Sequence, residues 1–281
     1  MNLMAPVFRW TAPLKEATKR AMYAVAPETA TAVMSARARA HSHRLVREWG
    51  LTDLNKKLVD RFGSVVQASP FIGMTLSPMT HQEHLGPFLL GTYEEELHPW
   101  FESALSGRFE QVLDIGSKFG YYAVGLARRM PDTPVIAFDT DPWARKATQE
   151  MVEANHTPQV AVEGFCSARW IDRHLRPHSF ILSDCEGYEG ELFANASTPA
   201  LDSATVIVEI HDEFVPGVGS RIRERFRSTH SMTSVRSRER ERTGVDLGFL
   251  SSEDARAAIR EIRGPQEWLL MTPVIEKRRC A

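Results

Sequence analysis

Cysteine is scarce in this sequence, and the few that are present form no recognisable pattern. Cys166, Cys185 and Cys280 are odd in number, far apart and without C-x-x-C spacing, which argues against a disulfide framework and a zinc ribbon. No apolar run approaches the roughly 18 residues of a membrane-spanning helix, and the N-terminal residues lack the unbroken apolar core of a secretory signal. These absences predict a protein of the cytoplasm, a reducing compartment, with no membrane as its partner.

The composition is otherwise ordinary. Hydrophobic residues make up 43% of the 281 residues and charged residues 25%, values near the averages of globular proteins. A largely disordered, collagenous or fibrous chain is therefore excluded. A chain of this length can form one large domain, or one domain with a smaller appendage, around a core that needs no disulfide or metal to fold.

Charge is unevenly distributed along the chain. Residues 1–60 carry 10 Lys and Arg against 5 Asp and Glu, residues 61–215 carry 10 against 22, and residues 216–281 carry 14 against 9. An acidic centre between basic ends argues against a nucleic-acid groove through the middle of the chain. It suits a site that handles a cationic cofactor or a metal ion.

Hydrophobic periodicity divides the chain at about residue 90. We interpret residues 1–90 as an N-terminal helical extension or lid, with two or three helices in 1–60 and a connector with short extended pieces in 61–90. In residues 91–281, short apolar strands alternate with helices, which predicts an α/β doubly wound, Rossmann-like and mostly parallel sheet. The seven predicted strands are 111–116, 134–139, 159–165, 179–184, 204–212, 232–241 and 267–274, and the predicted helices are 94–106, 121–130, 141–155 and 221–230. A ligand is expected outside the carboxyl ends of the strands.

A turn bracketed by glycines follows the first strand. Gly116 and Gly120 belong to a D-x-G-x-x-x-G pattern that begins at Asp114, and glycine lets the backbone turn sharply and approach a ligand closely. The spacing differs from the G-x-G-x-x-G of nicotinamide enzymes, and no basic residue marks a 2′-phosphate site. It is more typical of sites for S-adenosylmethionine (SAM), which has no pyrophosphate; a purely structural turn is the alternative.

Asp139 ends the second strand, 19 residues after Gly120. An acidic residue at this position can accept hydrogen bonds from both ribose hydroxyls of a cofactor, whereas Asp141, which precedes a proline, is expected to cap the following helix. After the third strand, Ser167 and neighbouring backbone groups are candidates for contact with adenine. Cys166 is interpreted as a small buried residue.

Ionisable side chains gather at the ends of the fourth and fifth strands. They are Asp184, Glu186 and Glu189 after the fourth strand and Glu209, His211 and Asp212 at the end of the fifth. Residues two apart on a strand share a face, so Glu209 and His211 are expected to point the same way. If the two strands are neighbours, these side chains lie close together and close to the glycine turn. Burying ionisable groups costs free energy unless they are paired or functional.

Three interpretations of this cluster remain open. His211 can act as a general base, oriented by Glu209 or Asp184, that removes a proton from a substrate hydroxyl. Alternatively, Asp184, Glu209 and His211 hold a divalent metal ion, Mg²⁺ or similar, that lowers the pKa of the hydroxyl. In the third interpretation, Asp184 and Glu186 cap the next helix and His211 forms a hydrogen bond with the loop.

Four segments together resemble class I SAM-dependent methyltransferases: VLDIGSKFGYYAVGLA, VIAFDTDP, ILSDCEGYEGELF and ATVIVEIHD. They are most similar to the FkbM-type branch, which carries a D-x-E-G-x-E motif after the fourth strand, and the resemblance covers roughly residues 90–281. It implies a seven-stranded sheet whose last strand runs antiparallel. It also implies methyl transfer from SAM to a small molecule, commonly onto the oxygen of a hydroxyl or carboxyl group.

The residue patterns and the resemblance together give a set of candidate site residues, of which the resemblance implies Asp114, Gly116, Gly120, Asp139, Asp184 and Glu186. The cofactor-binding candidates are Asp114, Gly116, Gly120, Tyr121, Asp139, Thr140, Ser167, Asp184 and Tyr93, and the catalytic candidates are His211, Asp184 and Glu209. Asp114 and the two glycines would line the methionine part of SAM, and Asp139 would hold its ribose. Asp184 and Glu186 would line the methyl-transfer pocket.

The sequence departs from the family pattern at two places, and a third segment of the candidate site allows another interpretation. The family commonly has Glu at the position of Asp139, and Lys118 and Phe119 stand in a loop that is often small or acidic. Tyr93 and Glu96 lie just upstream of the first strand, where such enzymes close over the methionine end of SAM. A solvated helix face is the alternative for the glutamates at 94–96.

Three rival functions are kept beside the methyltransferase. The first is a nicotinamide-dependent oxidoreductase, and the missing second glycine of G-x-G counts against it. The second is an RNA-modifying methyltransferase or RNA-binding protein that uses the basic N-terminal helices. It is disfavoured because no N/D-P-P-Y motif follows the fourth strand. A SAM-binding protein without catalysis is the third. The expected partner is a small-molecule acceptor rather than nucleic acid; the sequence identifies neither the acceptor nor whether the chain forms a homo-oligomer.

Overall fold

A seven-stranded sheet lies at the centre of the computed structural model, which describes residues 27–274. The strands are Val112–Ile115 (β1), Val135–Phe138 (β2), Val160–Glu163 (β3), Phe180–Ser183 (β4), Thr205–Ile210 (β5), His230–Arg236 (β6) and Glu267–Pro273 (β7). Their order is β3-β2-β1-β4-β5-β7-β6. Strands β1 to β5 are parallel, and β7 runs antiparallel to both β5 and β6. The predicted fold class and the antiparallel last strand are therefore confirmed.

The sequence pattern locates the central strands well because helices cover both faces of a parallel sheet. Every residue of β1 and β4 is buried, which requires the continuous apolar runs by which these strands were predicted. Strand β6 differs from its prediction, since it begins at His230 and ends at Arg236 rather than at 241. Among the described residues its neighbour in the sheet is β7, whose first residue, Glu267, pairs with Arg236. Beyond that pair, one more backbone hydrogen bond joins Ser237 to Gln266 at 2.9 Å before the two segments separate.

Helices flank the sheet and precede it. Within residues 27–274 the α-helices are Pro27–Glu48 (α1), Leu51–Phe62 (α2), Leu85–Leu90 (α3), His98–Leu105 (α4), Tyr121–Arg129 (α5), Pro142–Asn155 (α6), Ala168–His174 (α7), Glu189–Asn195 (α8), Val218–Phe226 (α9) and Ser252–Ala258 (α10). Short 3₁₀ helices lie at Pro78–Thr80, Glu95–Leu97 and Pro199–Ser203. The sequence pattern does not predict α3, α7 and α10, and it gives no bounds for α8. Each has at most seven residues, which is too short for a helical repeat of apolar positions to be recognised.

The core consists of two apolar clusters. One joins the sheet to helices α2 to α6 and α10, and the other joins it to α7, α8 and α9. The segment 61–90, predicted as a connector, carries the fully buried α3 and contributes Phe71 to the first cluster. The boundary at residue 90 stays a prediction, and residues 1–26 of the predicted extension lie outside the described part of the chain. In residues 27–274, no helix has the length and apolar character needed to cross a bilayer.

The order of the strands reverses direction beside β1. The chain runs outward from β1 through β2 to β3 and then returns to place β4 on the other side of β1. In open parallel sheets, the carboxyl ends of the two strands beside such a reversal diverge and leave room for a ligand. The residues that follow β1, β2, β4 and β5 are therefore brought to the same edge.

Candidate functional site

The turn after β1 is shaped by close backbone packing. Gly116 has φ 93°, and a Cβ atom on it would lie 1.7 Å from the carbonyl oxygen of Asp184. The N–H groups of Gly116 and Ser117 both donate to the carbonyl of Phe138, at 2.8 and 2.9 Å. Gly120, with φ 76°, precedes α5 and approaches Thr148. The glycine spacing thus fixes the first turn against both neighbouring strands.

Replacing Gly116 by Ala is expected to lower the free energy of unfolding by about 3 kcal/mol or more, because both the positive φ and the contact with Asp184 penalise a side chain. The measurement is urea unfolding followed by circular dichroism. Gly164→Ala is the matched control, since no atom of the described residues, apart from those of its two chain neighbours, lies within 4 Å of its added Cβ. Equal stability of the two variants would contradict the close approach of the two turns.

Asp114 supports the same turn from inside the sheet. Its Oδ2 accepts a hydrogen bond of 2.9 Å from the N–H of Ala123 in the first turn of α5. Burial raises the pKa of Asp114 to about 7, and the nearby charges of Asp184, Asp139 and Glu94 add to this rise. The residue therefore orients the start of α5, and its predicted contact with the methionine part of SAM stays a prediction.

Asp139 lies beside the glycine turn, as the sequence predicts for a ribose-binding residue. Its Oδ2 accepts from the N–H of Lys118 at 2.9 Å and its Oδ1 from the N–H of Asp141 at 2.8 Å, and burial raises its pKa. Each carboxylate oxygen keeps a second lone pair for a hydroxyl donor. Asp141 caps α6 by accepting from the N–H of Trp143 at 2.9 Å, which confirms its predicted role.

The residues expected near adenine have structural partners. The Oγ atom of Ser167 accepts from the N–H of Trp170 at 3.1 Å and caps α7. Cys166 is buried, as predicted, and burial raises the pKa of its thiol to about 12. Thr140 is exposed, and its carbonyl accepts a hydrogen bond from Arg145. Contacts of Ser167 and Thr140 with a cofactor stay predictions.

His211 lies at the centre of the acidic cluster, because β4 and β5 are neighbours in the sheet. Its Nδ1 is 3.1 Å from Glu189 Oε1. Its Nε2 is 3.4 Å from Asp184 Oδ1, 3.7 Å from Glu209 Oε1 and 3.9 Å from Glu186 Oε2. The predicted convergence of Asp184, Glu209 and His211 is present, and Glu186 and Glu189 complete the cluster.

The charges of this cluster are strongly coupled. Burial alone would lower the pKa of His211, but the hydrogen bond with Glu189 and the charges of Asp184 and Glu186 raise it to about 9. Burial and the charge of Asp184 raise the pKa of Glu209 far above its usual range. Both carboxylate oxygens of Glu209 are buried without a hydrogen-bond partner among the described residues. The site therefore holds a surplus of acidic groups around one imidazole.

Glu189 holds the loop after β4 by hydrogen bonds to its backbone. Its oxygens accept from the N–H of Cys185 at 2.6 Å and of Gly187 at 2.9 Å. The interpretation in which Asp184 and Glu186 cap the next helix is wrong, because α8 has no side-chain cap and the loop amides are bound by Glu189 instead. The side chains of Asp184 and Glu186 are left to face His211.

The segment upstream of β1 reaches the same region and is buried there. Arg263 Nη1 lies 2.5 Å from Glu94 Oε1, and Arg240 Nη2 lies 2.6 Å from Glu96 Oε2. Glu261 contacts both guanidinium groups at 2.5 Å. The alternative of a solvated helix face is therefore wrong for Glu94 and Glu96. Sequence reasoning missed the two arginines, because no local pattern connects Arg263 to Glu94, which is 169 positions away, or Arg240 to Glu96.

Tyr93 and Tyr121 belong to an aromatic group on this side of the site. The Tyr121 ring is buried and stacks on Phe88 with 4.6 Å between the ring centroids. Tyr93 is half-buried, lies 4.5 Å from Phe88 by the same measure, and has the guanidinium of Arg263 5.2 Å from its ring centroid. Burial raises the pKa of both phenols. The assignment of these tyrosines to a cofactor site stays a prediction.

The chain matches no protein-family model and no curated protein. Among solved structures, it is similar to an O-methyltransferase from Bacillus cereus in complex with SAH, with 15% identity and a TM-score of 0.43 over 84% of this chain and 97% of that chain. It is also similar to the O-methyltransferase TomG from Streptomyces achromogenes in complex with SAM, with 17% identity and a TM-score of 0.39 over 62% of this chain and 80% of that chain. A third similar structure is precorrin-6y C5,15-methyltransferase from Geobacter metallireducens, with 12% identity and a TM-score of 0.41 over 63% of this chain and 86% of that chain. None of these matches identifies the FkbM-type branch.

Proposed function

We propose that this protein is a SAM-dependent methyltransferase that methylates a small molecule, most simply at the oxygen of a hydroxyl or carboxyl group. The observation that carries the proposal is the position of Asp139. Asp139 directly follows β2 and is half-buried. Its carboxylate accepts a hydrogen bond from the N–H of Lys118 in the glycine turn. There it can bind the two hydroxyls of a ribose placed in the crevice beside β1.

The electrostatics of the crevice favour SAM over a dinucleotide. Asp114, Asp184, Glu186 and Glu209 lie at the carboxyl ends of β1, β4 and β5. The cationic groups beside them include His211 and Arg263, which are themselves paired with Glu189 and Glu94. A sulfonium cation is attracted to such a site, whereas a pyrophosphate dianion is repelled. The same argument counts against a nicotinamide-dependent oxidoreductase.

The basic N-terminal region offers little support for the RNA-directed alternative. Arg39 of α1 lies 3.6 Å from Asp141 and 5.1 Å from the centroid of the Trp143 ring, and Arg44 lies 3.8 Å from Glu48. These cations are therefore engaged within the chain. A helix attached in this way beside Asp139 suits a cover over the cofactor site.

The chemistry we propose is an in-line displacement. The acceptor oxygen forms a bond to the methyl carbon of SAM as the carbon–sulfur bond breaks, and the electron pair of that bond stays on sulfur. The proton of the acceptor passes to the carboxylate of Asp184, which His211 Nε2 faces at 3.4 Å and orients. Most of the acceleration would come from holding oxygen, methyl carbon and sulfur in line.

The direct test is a titration of the full-length protein with SAM, S-adenosylhomocysteine and NAD⁺ by isothermal titration calorimetry. We expect SAM and S-adenosylhomocysteine to bind with one site per chain and NAD⁺ to give no heat of binding. Binding of NAD⁺ without binding of SAM would reject the proposal. Mass spectrometry of a metabolite extract incubated with methyl-labelled SAM then separates an enzyme from a SAM-binding protein, because only the enzyme yields a labelled product.

A further inference from the structure

The geometry of the acidic cluster points to a binding site for a divalent transition-metal ion, formed by Asp184, Glu186 and His211 with Glu209 beside them. We propose that the site takes Mn²⁺ or Zn²⁺ in preference to Mg²⁺ or Ca²⁺. The proposal goes beyond methyl transfer and does not require it. It also changes the ligand set expected from the sequence, because Glu186 takes the place that was predicted for Glu209.

The spacing of the ligand atoms fits an ion better than it fits hydrogen bonds. One oxygen each of Asp184 and Glu186 and one nitrogen of His211 all lie within 4.8 Å of one another. The distances from His211 Nε2 to the carboxylate oxygens are 3.4–3.9 Å, at or beyond the upper limit of a hydrogen bond. Ligands about 2.1 Å from a tetrahedrally coordinated ion lie about 3.4 Å apart. A small cation between these atoms would need only minor movements.

The imidazole is oriented as a metal ligand usually is. Its Nδ1 faces Glu189 Oε1 at 3.1 Å, and Glu189 is itself fixed by the N–H groups of Cys185 and Gly187. A carboxylate on one ring nitrogen holds the ring and its tautomer so that the other nitrogen presents a lone pair. In this protein the lone pair of Nε2 would be directed at Asp184, Glu186 and Glu209. With a neutral ring that arrangement is repulsive, and either a proton on Nε2 or a metal ion between these groups relieves the repulsion.

Glu209 supplies an independent observation. Its side chain is 1% exposed, it lies on β5 two residues before His211, and neither of its oxygens has a hydrogen-bond partner in residues 27–274. A buried carboxylate without a partner is costly. Its Oε1 atom is 3.7 Å from His211 Nε2. An ion bound by Asp184, Glu186 and His211 would therefore also neutralise Glu209.

The donor types select the class of ion. Ca²⁺ takes six to eight oxygen ligands, and Mg²⁺ prefers oxygen ligands and keeps several waters. A site that combines an imidazole nitrogen with carboxylates suits Mn²⁺, Zn²⁺ and similar first-row ions. An ion held here would lie at the ends of β4 and β5, where it could also polarise an acceptor hydroxyl.

The test is calorimetry on chelator-treated full-length protein, with Mn²⁺, Zn²⁺, Mg²⁺ and Ca²⁺ titrated separately and without SAM. We expect one Mn²⁺ or Zn²⁺ per chain, bound at least about tenfold more tightly than Mg²⁺ or Ca²⁺. Glu186→Gln should weaken Mn²⁺ and Zn²⁺ binding about tenfold or more. Because the Glu186 side chain is 74% exposed, this variant is expected to fold normally. Glu191→Gln, an equal change at an exposed position of α8, should leave binding within about twofold.

A second measurement identifies the nitrogen ligand. The visible absorption of bound Co²⁺ should change in His211→Asn relative to the unsubstituted chain. Three results would overturn the proposal: no binding of Mn²⁺ or Zn²⁺ at millimolar concentration, equal binding by Glu186→Gln and Glu191→Gln, or equal affinity for Ca²⁺ and Mn²⁺. Since SAM is absent from these titrations, a failure here leaves the methyltransferase proposal standing, and a failure of SAM binding leaves the metal site standing.

Discussion

Replacing Asp139 by Asn is expected to lower the affinity of the protein for SAM by roughly 100-fold. The carboxylate is the group that we propose binds the ribose hydroxyls, and hydrogen bonds to a charged group contribute about 1.5–3 kcal/mol each. An amide offers one acceptor oxygen and turns a donor toward the second hydroxyl. The measurement is calorimetry with SAM on each variant.

The control must separate loss of a ligand contact from loss of the local fold, because Asp139 also accepts from the N–H groups of Lys118 and Asp141. Asp132→Asn makes the same chemical change at an exposed position between α5 and β2 and should bind SAM normally. Asp139→Glu keeps the charge and should bind within about tenfold of the original chain. If Asp139→Asn binds SAM as tightly as Asp132→Asn, the ribose assignment is wrong.

Replacing His211 by Gln is expected to reduce the rate of methyl transfer about 10²–10⁴-fold, the usual contribution of a group that takes or directs a proton in the reaction. The affinity for SAM should change little, since His211 lies at the end of β5 and Asp139 at the end of β2, with β1 and β4 between those strands. The measurement is kcat and KM with the acceptor identified from the labelled extract, together with SAM binding on the same preparation.

His230→Gln is the matched control for His211. It is also a buried histidine with hydrogen-bond partners, Nε2 to the carbonyl of Ala204 at 2.8 Å and Nδ1 to Thr229 at 2.8 Å, but it lies on the edge strand β6. If both variants lose a comparable amount of stability but only His211→Gln loses turnover, the lost turnover reflects a role of His211 in the reaction. Unchanged turnover in His211→Gln would remove this residue from the mechanism.

The arrangement of the sheet could be predicted from the sequence, because strands that are buried on both faces require continuous runs of apolar residues. Apolar runs such as that of β4 mark strands covered on both faces, and the residues after them are brought together by the parallel arrangement alone. The convergence of Asp184 and His211 could therefore be predicted from strand ends. The neighbouring cap at Asp141 could also be predicted, since it depends only on local backbone geometry.

The inner arrangement of the site could not be predicted in this way. The path of the loop after β4 depends on positive φ angles at Glu186 and Gly187, 58° and 102°, and these angles decide that Glu189 binds the loop while Glu186 faces His211. Apolar periodicity has no bearing on such a loop. The burial of Glu94 likewise depends on Arg263, a partner in a distant part of the chain.

The buried ion pairs among Glu94, Glu96, Arg240, Glu261 and Arg263 have a consequence for how this protein tolerates mutation. They join the stretch before β1 to the two connections that flank α10. Removing one member of a buried ion pair leaves an uncompensated charge and typically costs about 3–5 kcal/mol, whereas replacing both members with apolar groups can be nearly neutral. We therefore expect epistasis between Glu94 and Arg263 in urea unfolding: either apolar substitution alone should lower the free energy of unfolding, and the double substitution should recover much of that loss.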